Sequence, residues 1–240
     1  MDIVIVTGAS KGIGFELSKQ LKAKGKKVIG IARTMPEGGD DFVSADLADA
    51  VCLKGLITSV LGKYIETASS FTLINNAGMV DPIGLIGSVQ AEVIAKAIAV
   101  NLTAPILMSN EFISKLQNFK GAKRIVNISS GAGRNPYEGW GTYCTTKAGL
   151  DHFTRVVALE QKTAKYPVEI VSIAPGIIDT GMQETIRASG ADEFPLLSQF
   201  IDYKEQGLLS SAEQTAQKLI AFMENENFQV AGPIEDIRNY

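Results

Sequence analysis

Short apolar runs rich in β-branched residues alternate with longer stretches of helical spacing along the whole chain. Apolar runs without polar alternation are typical of strands buried on both faces of a parallel sheet. The pattern therefore predicts an α/β fold with one Rossmann-like, doubly wound parallel sheet of about seven strands and helices on both faces. Because no linker or repeat interrupts it, we expect a single domain over residues 1–240.

The predicted elements follow one another at short intervals. Strands are expected at residues 2–6, 27–32, 42–45, 71–75, 122–129, 168–173 and 229–234. Helices are expected at residues 15–24, 49–62, 88–109, 142–164 and 211–224. Residues 177–207 instead mix Gly, Pro, Met, Phe and charged side chains, and an excursion of that length in a compact domain usually covers a site. We predict a substrate lid there, with a disordered surface insertion as the alternative.

The composition of the chain argues against several classes of function. The net charge of −3 gives no electrostatic reason to expect nucleic acid or an anionic membrane as a partner. We expect no membrane span, and a first strand at residue 2 leaves no room for a signal peptide. Cys52 and Cys144 are isolated thiols without metal-ligand spacing, so we expect a cytoplasmic protein with no disulfide and no metal. The single histidine, His152, disfavours a Ser-His-Asp hydrolase.

A glycine-rich segment, Thr7 to Gly14 (TGASKGIG), joins the first strand to the first helix. Glycines allow close backbone approach to a pyrophosphate, and a helix N-terminus offers free N–H groups and a positive dipole end. The position directly after a first strand favours a dinucleotide site over a plain tight turn. The predicted cofactor contacts in this segment are Gly8, Ser10, Lys11, Gly12, Ile13 and Gly14.

Tyr143 and Lys147 are four residues apart on a predicted helix, which places them on one face, about 40° apart around the axis. A phenol has an ordinary pKa of about 10, and a nearby ammonium favours the phenolate. We therefore expect Lys147 to lower the pKa of Tyr143, so that the pair exchanges a proton with a substrate oxygen. Ser130 supplies a hydroxyl that holds the same oxygen. A solvated helix face is the alternative.

The end of the second strand indicates which nicotinamide cofactor binds. An NAD site usually places a carboxylate there, on the ribose 2′-hydroxyl. This strand instead runs into Arg33, with no acid beside it. A guanidinium suits bidentate phosphate binding, and Lys11 in the glycine-rich turn approaches the same group. We therefore predict NADPH as the cofactor, with two solvated surface cations as the alternative.

Six motifs in order resemble the short-chain dehydrogenase/reductase family over essentially the whole chain. They are the segment TGASKGIG from Thr7, the segment from Asn75 to Gly78, Asn101, Ser130, Tyr143 with Lys147, and Pro175 with Gly176. The resemblance implies a nicotinamide-dependent oxidoreductase in which Tyr143 is the general acid in reduction. Lys147 would tune the tyrosine and bind the nicotinamide ribose, and Ser130 would orient the carbonyl. Asn101 would hold a water that links the lysine to solvent, with a helix-kinking asparagine as the alternative.

The same resemblance implies further cofactor contacts. The segment from Asn75 through Ala77 to Gly78 would either lie beside the adenine ribose or lock the central sheet, and both interpretations stay open. Asp46 would contact the adenine amino group. Ile178 and Thr180, after Pro175 and Gly176, would bind the carboxamide.

Within the family, segments 127–130, 139–144 and 174–183 resemble sepiapterin reductases and, still more, bacterial benzil reductases. The implied activity is reduction of aromatic vicinal diketones, of the type that converts benzil to (S)-benzoin. A pteridine side-chain ketone reductase is the alternative, and a non-catalytic NADPH-binding sensor and a 3-oxoacyl carrier-protein reductase rank lower. The predicted substrate contacts are Ser130, Trp140, Tyr143, Met182 and Asp236, the last as an anchor for the amino-pyrimidine ring of a pterin.

Family relatives commonly pair through the helices expected here at residues 88–109 and 142–164. Both stretches are apolar on more than one face, as a self-associating helix would be. We expect a homodimer, with a tetramer as the alternative.

Overall fold

The computed structural model describes residues 1–34, 41–225 and 227–240. Seven strands form one parallel sheet in the order β3-β2-β1-β4-β5-β6-β9. They are β1 (Asp2–Thr7), β2 (Lys27–Ala32), β3 (Phe42–Ser44), β4 (Ser70–Asn75), β5 (Ala122–Ile128), β6 (Glu169–Ala174) and β9 (Ile234–Asp236). Two short strands, β7 (Ile178–Asp179) and β8 (Ser210–Ser211), pair separately. The predicted α/β fold class is confirmed.

Helices connect these strands and cover the sheet. They are α1 (Gly12–Ala23), α2 (Ala50–Leu53), α3 (Leu56–Gly62), α4 (Ala91–Ile98), α5 (Ala104–Leu116), α6 (Gly141–Gln161), α7 (Gly181–Arg187), α8 (Leu197–Glu205), α9 (Ala212–Glu224) and α10 (Asn227–Val230). A π-helical turn, Ala99–Thr103, joins α4 to α5, so that one continuous helix runs from residue 91 to residue 116. Short 3-10 turns lie at Gly131–Gly133 and Ile237–Asn239.

Alternation along β1 shows why the sheet needs helices on both faces. Ile3 and Ile5 belong to a buried cluster under α2, α3, α5 and α6. Val4 and Val6 belong to a second cluster on the opposite face, under α1 and α9. Since successive side chains of a strand point to opposite faces, an apolar run without polar breaks fills both layers.

The strand order reverses at β1, because the sheet continues through β2 on one side and β4 on the other. Ligands of open α/β sheets bind at such a switch point, outside the carboxyl ends of the strands. The glycine-rich turn follows β1 at this edge, and Ser130 follows β5 at the same edge. The fold therefore brings the two sequence motifs together.

Two predicted elements differ in the structure. The helix predicted at 49–62 is broken at Gly55, which has a left-handed φ of 77°, and Glu111 accepts the Gly55 and Thr58 N–H groups at the start of α3. The strand predicted at 229–234 is wrong: α10 occupies its beginning, and β9 starts only at residue 234. Phe228 is buried against Phe222, so a short apolar run here forms a helical core contact.

One helix of the described residues reaches the length of a membrane span, which the apolar runs of the sequence did not indicate. Residues 91–116 form a 26-residue helix with a window of mean hydropathy 1.5, long and apolar enough to cross a bilayer by length and composition. Buried residues of this helix, including Ala104, Met108 and Phe112, pack in the core. Such a pattern is shared by the core helices of folded domains, whose apolar faces cover a sheet.

Residues 177–207 hold regular structure. They include β7, α7 and α8, and side chains of α7 and α8 join a third buried cluster with Trp140 and Tyr143. The segment therefore packs on the same edge of the sheet as the predicted catalytic residues.

Candidate active site

The glycine-rich turn at the end of β1 is so closely packed that side chains larger than glycine do not fit at two of its positions. Gly8 has a φ of 66°, and a Cβ on it would lie 2.9 Å from the Cα of Ala77. A Cβ on Gly14 would lie 2.3 Å from the carbonyl oxygen of Gly8, so any larger residue would force the turn apart. Helix α1 begins at Gly12, and its first N–H groups face the space that a pyrophosphate would fill.

The ends of β1 and β4 are joined by side chains that the sequence analysis did not single out. The Thr7 hydroxyl accepts the N–H groups of Asn76 (2.9 Å) and Ala77 (3.0 Å), and the Asn76 amide donates to the Thr7 carbonyl (2.9 Å). These bonds fix the glycine-rich turn against the loop after β4. The only sequence signal was their position at the ends of two buried strands.

Asn75 lies inside the sheet rather than at its edge. Its amide donates to Asn127 Oδ1 (2.8 Å) and Ser109 Oγ (3.3 Å), and Asn127 donates to Thr154 Oγ1 (2.9 Å). These contacts favour the sheet lock over a ribose contact for Asn75. Ala77 and Gly78, which are less buried, keep the predicted cofactor role.

Ser130 and Tyr143 meet at the carboxyl edge of the sheet. Ser130 follows β5, and its hydroxyl accepts the Ala132 N–H (3.2 Å). Tyr143 lies in the first turn of α6, is only 7% exposed and shares a hydrogen bond with Ser130. Ser129 is buried, and its hydroxyl has no hydrogen-bond partner within the described part of the chain. The structure thus brings together the serine and tyrosine chosen from their spacing.

Burial shifts the pKa of Tyr143 in the direction opposite to the expected one. We expected Lys147 to lower the pKa of Tyr143, but loss of solvent raises the pKa of Tyr143 to about 12, and the hydrogen bond with Ser130 offsets only part of this. The Lys147 ammonium lies 5.8 Å from the centroid of the Tyr143 ring. Burial also lowers the pKa of Lys147 to about 8. The charged form of each group is disfavoured because neither has much water around it.

Asn101 occupies the π-helical turn, so the polar residue in this apolar helix does distort it. Its side-chain oxygen accepts the Met79 N–H (2.9 Å), and its amide donates to the Met79 carbonyl (2.8 Å). Lys147 donates to the Ile128 carbonyl (2.8 Å). A Cβ on Gly78 would lie 3.5 Å from Asn101 Oδ1 and 3.7 Å from Lys147 Nζ, so both side chains reach the same small space beside this glycine.

The predicted cofactor cations lie at the open edge of the turn. Arg33 is exposed directly after β2, and Lys11 is exposed at the start of α1. Neither has an ion-pair partner among residues 1–34, 41–225 and 227–240. Asp46 is also exposed, and it accepts the Ala48 N–H (3.0 Å). Both cations are therefore available to an anionic ligand.

The remaining predicted cofactor contacts lie around the same turn. Ser10 and Ile13 are half-buried within it, and Pro175 is buried at the end of β6. Ile178 is buried in β7. Thr180 faces the turn from the other side, because a Cβ on Gly12 would lie 3.5 Å from its methyl group.

An aromatic cluster covers Tyr143, the predicted catalytic tyrosine. Trp140 stacks on Phe194 with centroids 4.8 Å apart, and contacts Phe200 (5.1 Å) and Tyr143 (5.5 Å) edge-on. Met182 packs against the cluster. The indole N–H of Trp140 is buried with no hydrogen-bond partner in the described part of the chain. Trp140, Phe194 and Phe200 are 5%, 0% and 6% exposed, so a buried wall of aromatic side chains lies beside Tyr143.

Asp236 does not present a free carboxylate. It lies at the end of β9, paired with Ala174 of β6, and binds the Arg238 side chain through Oδ1 (2.9 Å) and Oδ2 (2.6 Å). Oδ1 also accepts the Arg238 N–H (3.0 Å). The hydrogen bonds from Arg238 hold the pKa of Asp236 below its usual range. The structure thus disfavours the expected pterin anchor, because three acceptor positions of the carboxylate are already used.

The buried Asp151 and Ser172 form a polar group with the partly exposed Arg134, which was not predicted from the sequence. Asp151 lies on α6 and binds Ser172 Oγ (2.6 Å) and Arg134 Nε (3.3 Å). One signal was present in the sequence: an acid four residues after Lys147, on the face that carries the tyrosine.

A doubly wound sheet with a glycine-rich turn at its switch point, next to a serine, a tyrosine and a lysine, defines an oxidoreductase that binds a dinucleotide. A family model described as short chain dehydrogenase matches residues 2–190, and the chain belongs to this family. Family membership supports a nicotinamide cofactor and a small-molecule substrate.

Curated relatives and solved structures agree with this family. The chain is 40% identical to a benzil reductase ((S)-benzoin forming) of Bacillus cereus, over 95% of this chain and 96% of that protein. It is 37% identical to the protein of the same name from Bacillus subtilis, over 100% of both chains. A sepiapterin reductase of Mus musculus is 28% identical, over 97% of this chain and 95% of that protein. A crystal structure of a short chain dehydrogenase/reductase from Saccharomyces cerevisiae superposes with a TM-score of 0.84 at 25% identity, covering 99% of this chain and 96% of that chain.

Proposed function

We propose that this protein is an NADPH-dependent carbonyl reductase that acts on aromatic vicinal diketones, in a reaction of the benzil to (S)-benzoin type. The observation that carries the proposal is the placement of Ser130, Tyr143 and Lys147 beneath a wall of aromatic side chains. The resemblance to two bacterial benzil reductases over nearly the full chain agrees with it.

The residues divide the chemistry as follows. When bound at the glycine-rich turn, a reduced nicotinamide would supply the hydride that the carbonyl carbon accepts. Ser130 donates a hydrogen bond to the carbonyl oxygen and stabilises the charge that develops on it. Tyr143 gives its phenolic proton to the same oxygen, and a pKa near 12 keeps that proton in place at neutral pH until charge develops. Lys147 stabilises the phenolate that remains. Asn101 lies near Lys147, and both side chains reach the exposed Gly78.

The cofactor preference follows from charge at the adenosine end of the cleft. Arg33 and Lys11 are exposed cations beside the glycine-rich turn, and the end of β2 has no acid to bind a ribose 2′-hydroxyl. A guanidinium gives a planar pair of donors for a 2′-phosphate. This supports NADPH over NADH.

The 28% identity to a sepiapterin reductase supports the alternative substrate, a pterin side-chain ketone. The pairing of Asp236 with Arg238 weighs against it, because an amino-pyrimidine ring needs a free carboxylate edge. A non-catalytic NADPH sensor has no use for a buried Ser130–Tyr143 hydrogen bond. We therefore rank the diketone first.

We further propose a cytoplasmic homodimer that pairs through α4, α5 and α6, with a tetramer as the alternative. Ile98, Val156 and Leu159 are large apolar side chains exposed on these helices. A matching surface on a second copy of the chain would cover them. Residues 177–207 act in this proposal as the substrate lid.

The deciding experiment follows oxidation of the reduced nicotinamide by its absorbance. Benzil and sepiapterin are compared as substrates, each with NADPH and with NADH, and the product of benzil is resolved on a chiral column. Turnover of benzil with NADPH and weak turnover with NADH support the proposal. A clear preference for sepiapterin would move the assignment to pteridine reduction, and turnover of neither would refute both.

A further inference from the structure

Lys147 and Asp151 lie one helical turn apart on α6, with 4% and 1% of their surfaces exposed. Residues four apart on a helix share a face, so the two side chains leave α6 on the same side. The ammonium donates to the Ile128 carbonyl and the carboxylate accepts from Ser172, with no direct ion pair between them in the described part of the chain. A buried carboxylate needs compensating partners, because an unpaired charge in a poorly solvated site is costly. The groups that contact the Asp151 carboxylate therefore indicate its role.

Asp151 is held from three sides. The Ser172 hydroxyl donates to Oδ1 (2.6 Å), and Arg134 Nε donates to Oδ2 (3.3 Å). Arg134 also donates to the Glu235 carbonyl (2.7 Å), which fixes the guanidinium between α6 and β9. A Cβ on Gly133 would lie 2.9 Å from the Lys147 carbonyl and 3.1 Å from Asp151 Oδ2. The turn after Ser130 therefore packs directly over the backbone of Lys147 and the carboxylate of Asp151.

The other groups around Lys147 carry little charge. Its own helix contributes the Tyr143 ring and Asp151. The π-helical turn contributes the neutral Asn101, β5 contributes the Ile128 carbonyl, and the loop after β4 contributes Gly78. Burial lowers the pKa of Lys147, and the Asp151 carboxylate acts in the opposite direction. Arg134, on the far side of Asp151, neutralises part of that carboxylate.

We propose that Asp151 is a positioning residue for the reduction: its buried carboxylate keeps Lys147 in the ammonium form, and Arg134 sets how strongly that carboxylate acts. The proposal rests on the proposed function, in which Lys147 works as a cation beside Tyr143. Asp151 itself touches neither substrate nor cofactor in this scheme, because it acts one turn away through the lysine.

Substitutions of Asp151 and of Arg134 are expected to shift the pKa of Lys147 in opposite directions. Asp151→Asn keeps an acceptor for Ser172 and removes the negative charge, so the pKa of Lys147 falls further and its ammonium form is lost at lower pH. Arg134→Gln removes the cation that offsets Asp151, so the pKa of Lys147 rises. A charge within about 4–6 Å typically moves a pKa by about 1–3 units, and we expect shifts of about one unit here because neither charge bonds Lys147 directly.

The first readout is the pH profile of kcat/KM for benzil reduction from about pH 6 to about pH 10, where an unperturbed lysine has not yet titrated. Wild type, Asp151→Asn, Arg134→Gln and the control Glu160→Gln, an exposed acid on the same helix, are compared. The alkaline limb should move to lower pH in Asp151→Asn, to higher pH in Arg134→Gln and not at all in the control. Shifts in the same direction, or none, would overturn the proposal.

The second readout does not depend on activity. NMR of protein labelled with isotopic lysine follows the titration of Lys147 directly, and the Lys147→Arg variant identifies its signal. An unmoved midpoint in both charge variants refutes the role of Asp151 even if the enzyme is active. Midpoints that move in opposite directions in a protein that reduces no diketone would support the electrostatic link and refute the proposed function. Arg134 is only half-buried, so its variant keeps the test open if Asp151→Asn fails to fold.

Discussion

Tyr143 combines low exposure with a raised pKa, so its proton is firmly held in the resting protein. Sequence spacing identified the residue, but it could not give the direction of its shift. That direction depends on Trp140 and on lid residues that come from distant parts of the chain. Asp151 escaped notice for the same reason, because Arg134 and Ser172 are neighbours only in the fold.

Removing the phenolic hydroxyl tests its role as the proton donor. We expect Tyr143→Phe to lower kcat for benzil by about 10²–10⁴-fold, the usual contribution of a general acid. NADPH affinity, measured by fluorescence titration, should stay within a few-fold of wild type. Retained turnover would exclude Tyr143 as the donor.

Arg33 tests the cofactor preference. Arg33→Ala should raise KM for NADPH by about 10- to 150-fold, since a charged hydrogen bond is worth about 1.5–3 kcal/mol, and should leave KM for NADH nearly unchanged. Lys54→Ala, an exposed cation away from the cleft, is the matched control. An unchanged KM for NADPH would contradict the 2′-phosphate contact.

Asp236 tests the alternative substrate. Because Arg238 already occupies the carboxylate, Asp236→Asn should change kcat/KM for sepiapterin and for benzil by similar factors. Steady-state kinetics with both substrates gives the comparison. A selective loss of sepiapterin turnover would restore the anchor role.

At the scale of elements, the apolar pattern predicted most of the sheet, and β2 has the bounds expected from the sequence. The prediction failed at 229–234, where a short apolar run fits a buried helix as well as a strand. It also missed the break at Gly55, because the Glu111 side chain that caps α3 comes from α5. Local pattern thus gives the type of an element better than its ends.

The start of α9 offers a stability test. Ser211 accepts the Gln214 N–H (3.0 Å), and Gln214 accepts the Ser211 N–H (3.1 Å), which is a capping box. Ser211→Ala should lower the free energy of unfolding by about 1 kcal/mol. Urea denaturation measures this, with the exposed Gln217→Ala on the same helix as the control. Equal midpoints for the two variants would show that the cap contributes nothing.

At the scale of the whole molecule, α4 and α6 expose large apolar side chains that packing within one chain does not cover. Leu159 is 63% exposed on α6. If it lies in a dimer interface, Leu159→Glu should give a monomer by size-exclusion chromatography with light scattering. Val51→Glu, at an apolar residue 82% exposed on α2, should leave the assembly unchanged. Identical elution of both variants with wild type would place the interface elsewhere.

Trp140 is the only tryptophan in the chain, and it lies against Tyr143 and the rings of the lid. The protein therefore carries a single tryptophan fluorophore at the point where chemistry is expected. Its emission overlaps the absorption band of a reduced nicotinamide, so energy transfer would report binding of the coenzyme, and its loss would report each turnover. Entry of a substrate, reordering of the lid and oxidation of the coenzyme would then be followed in one stopped-flow trace, without an added label.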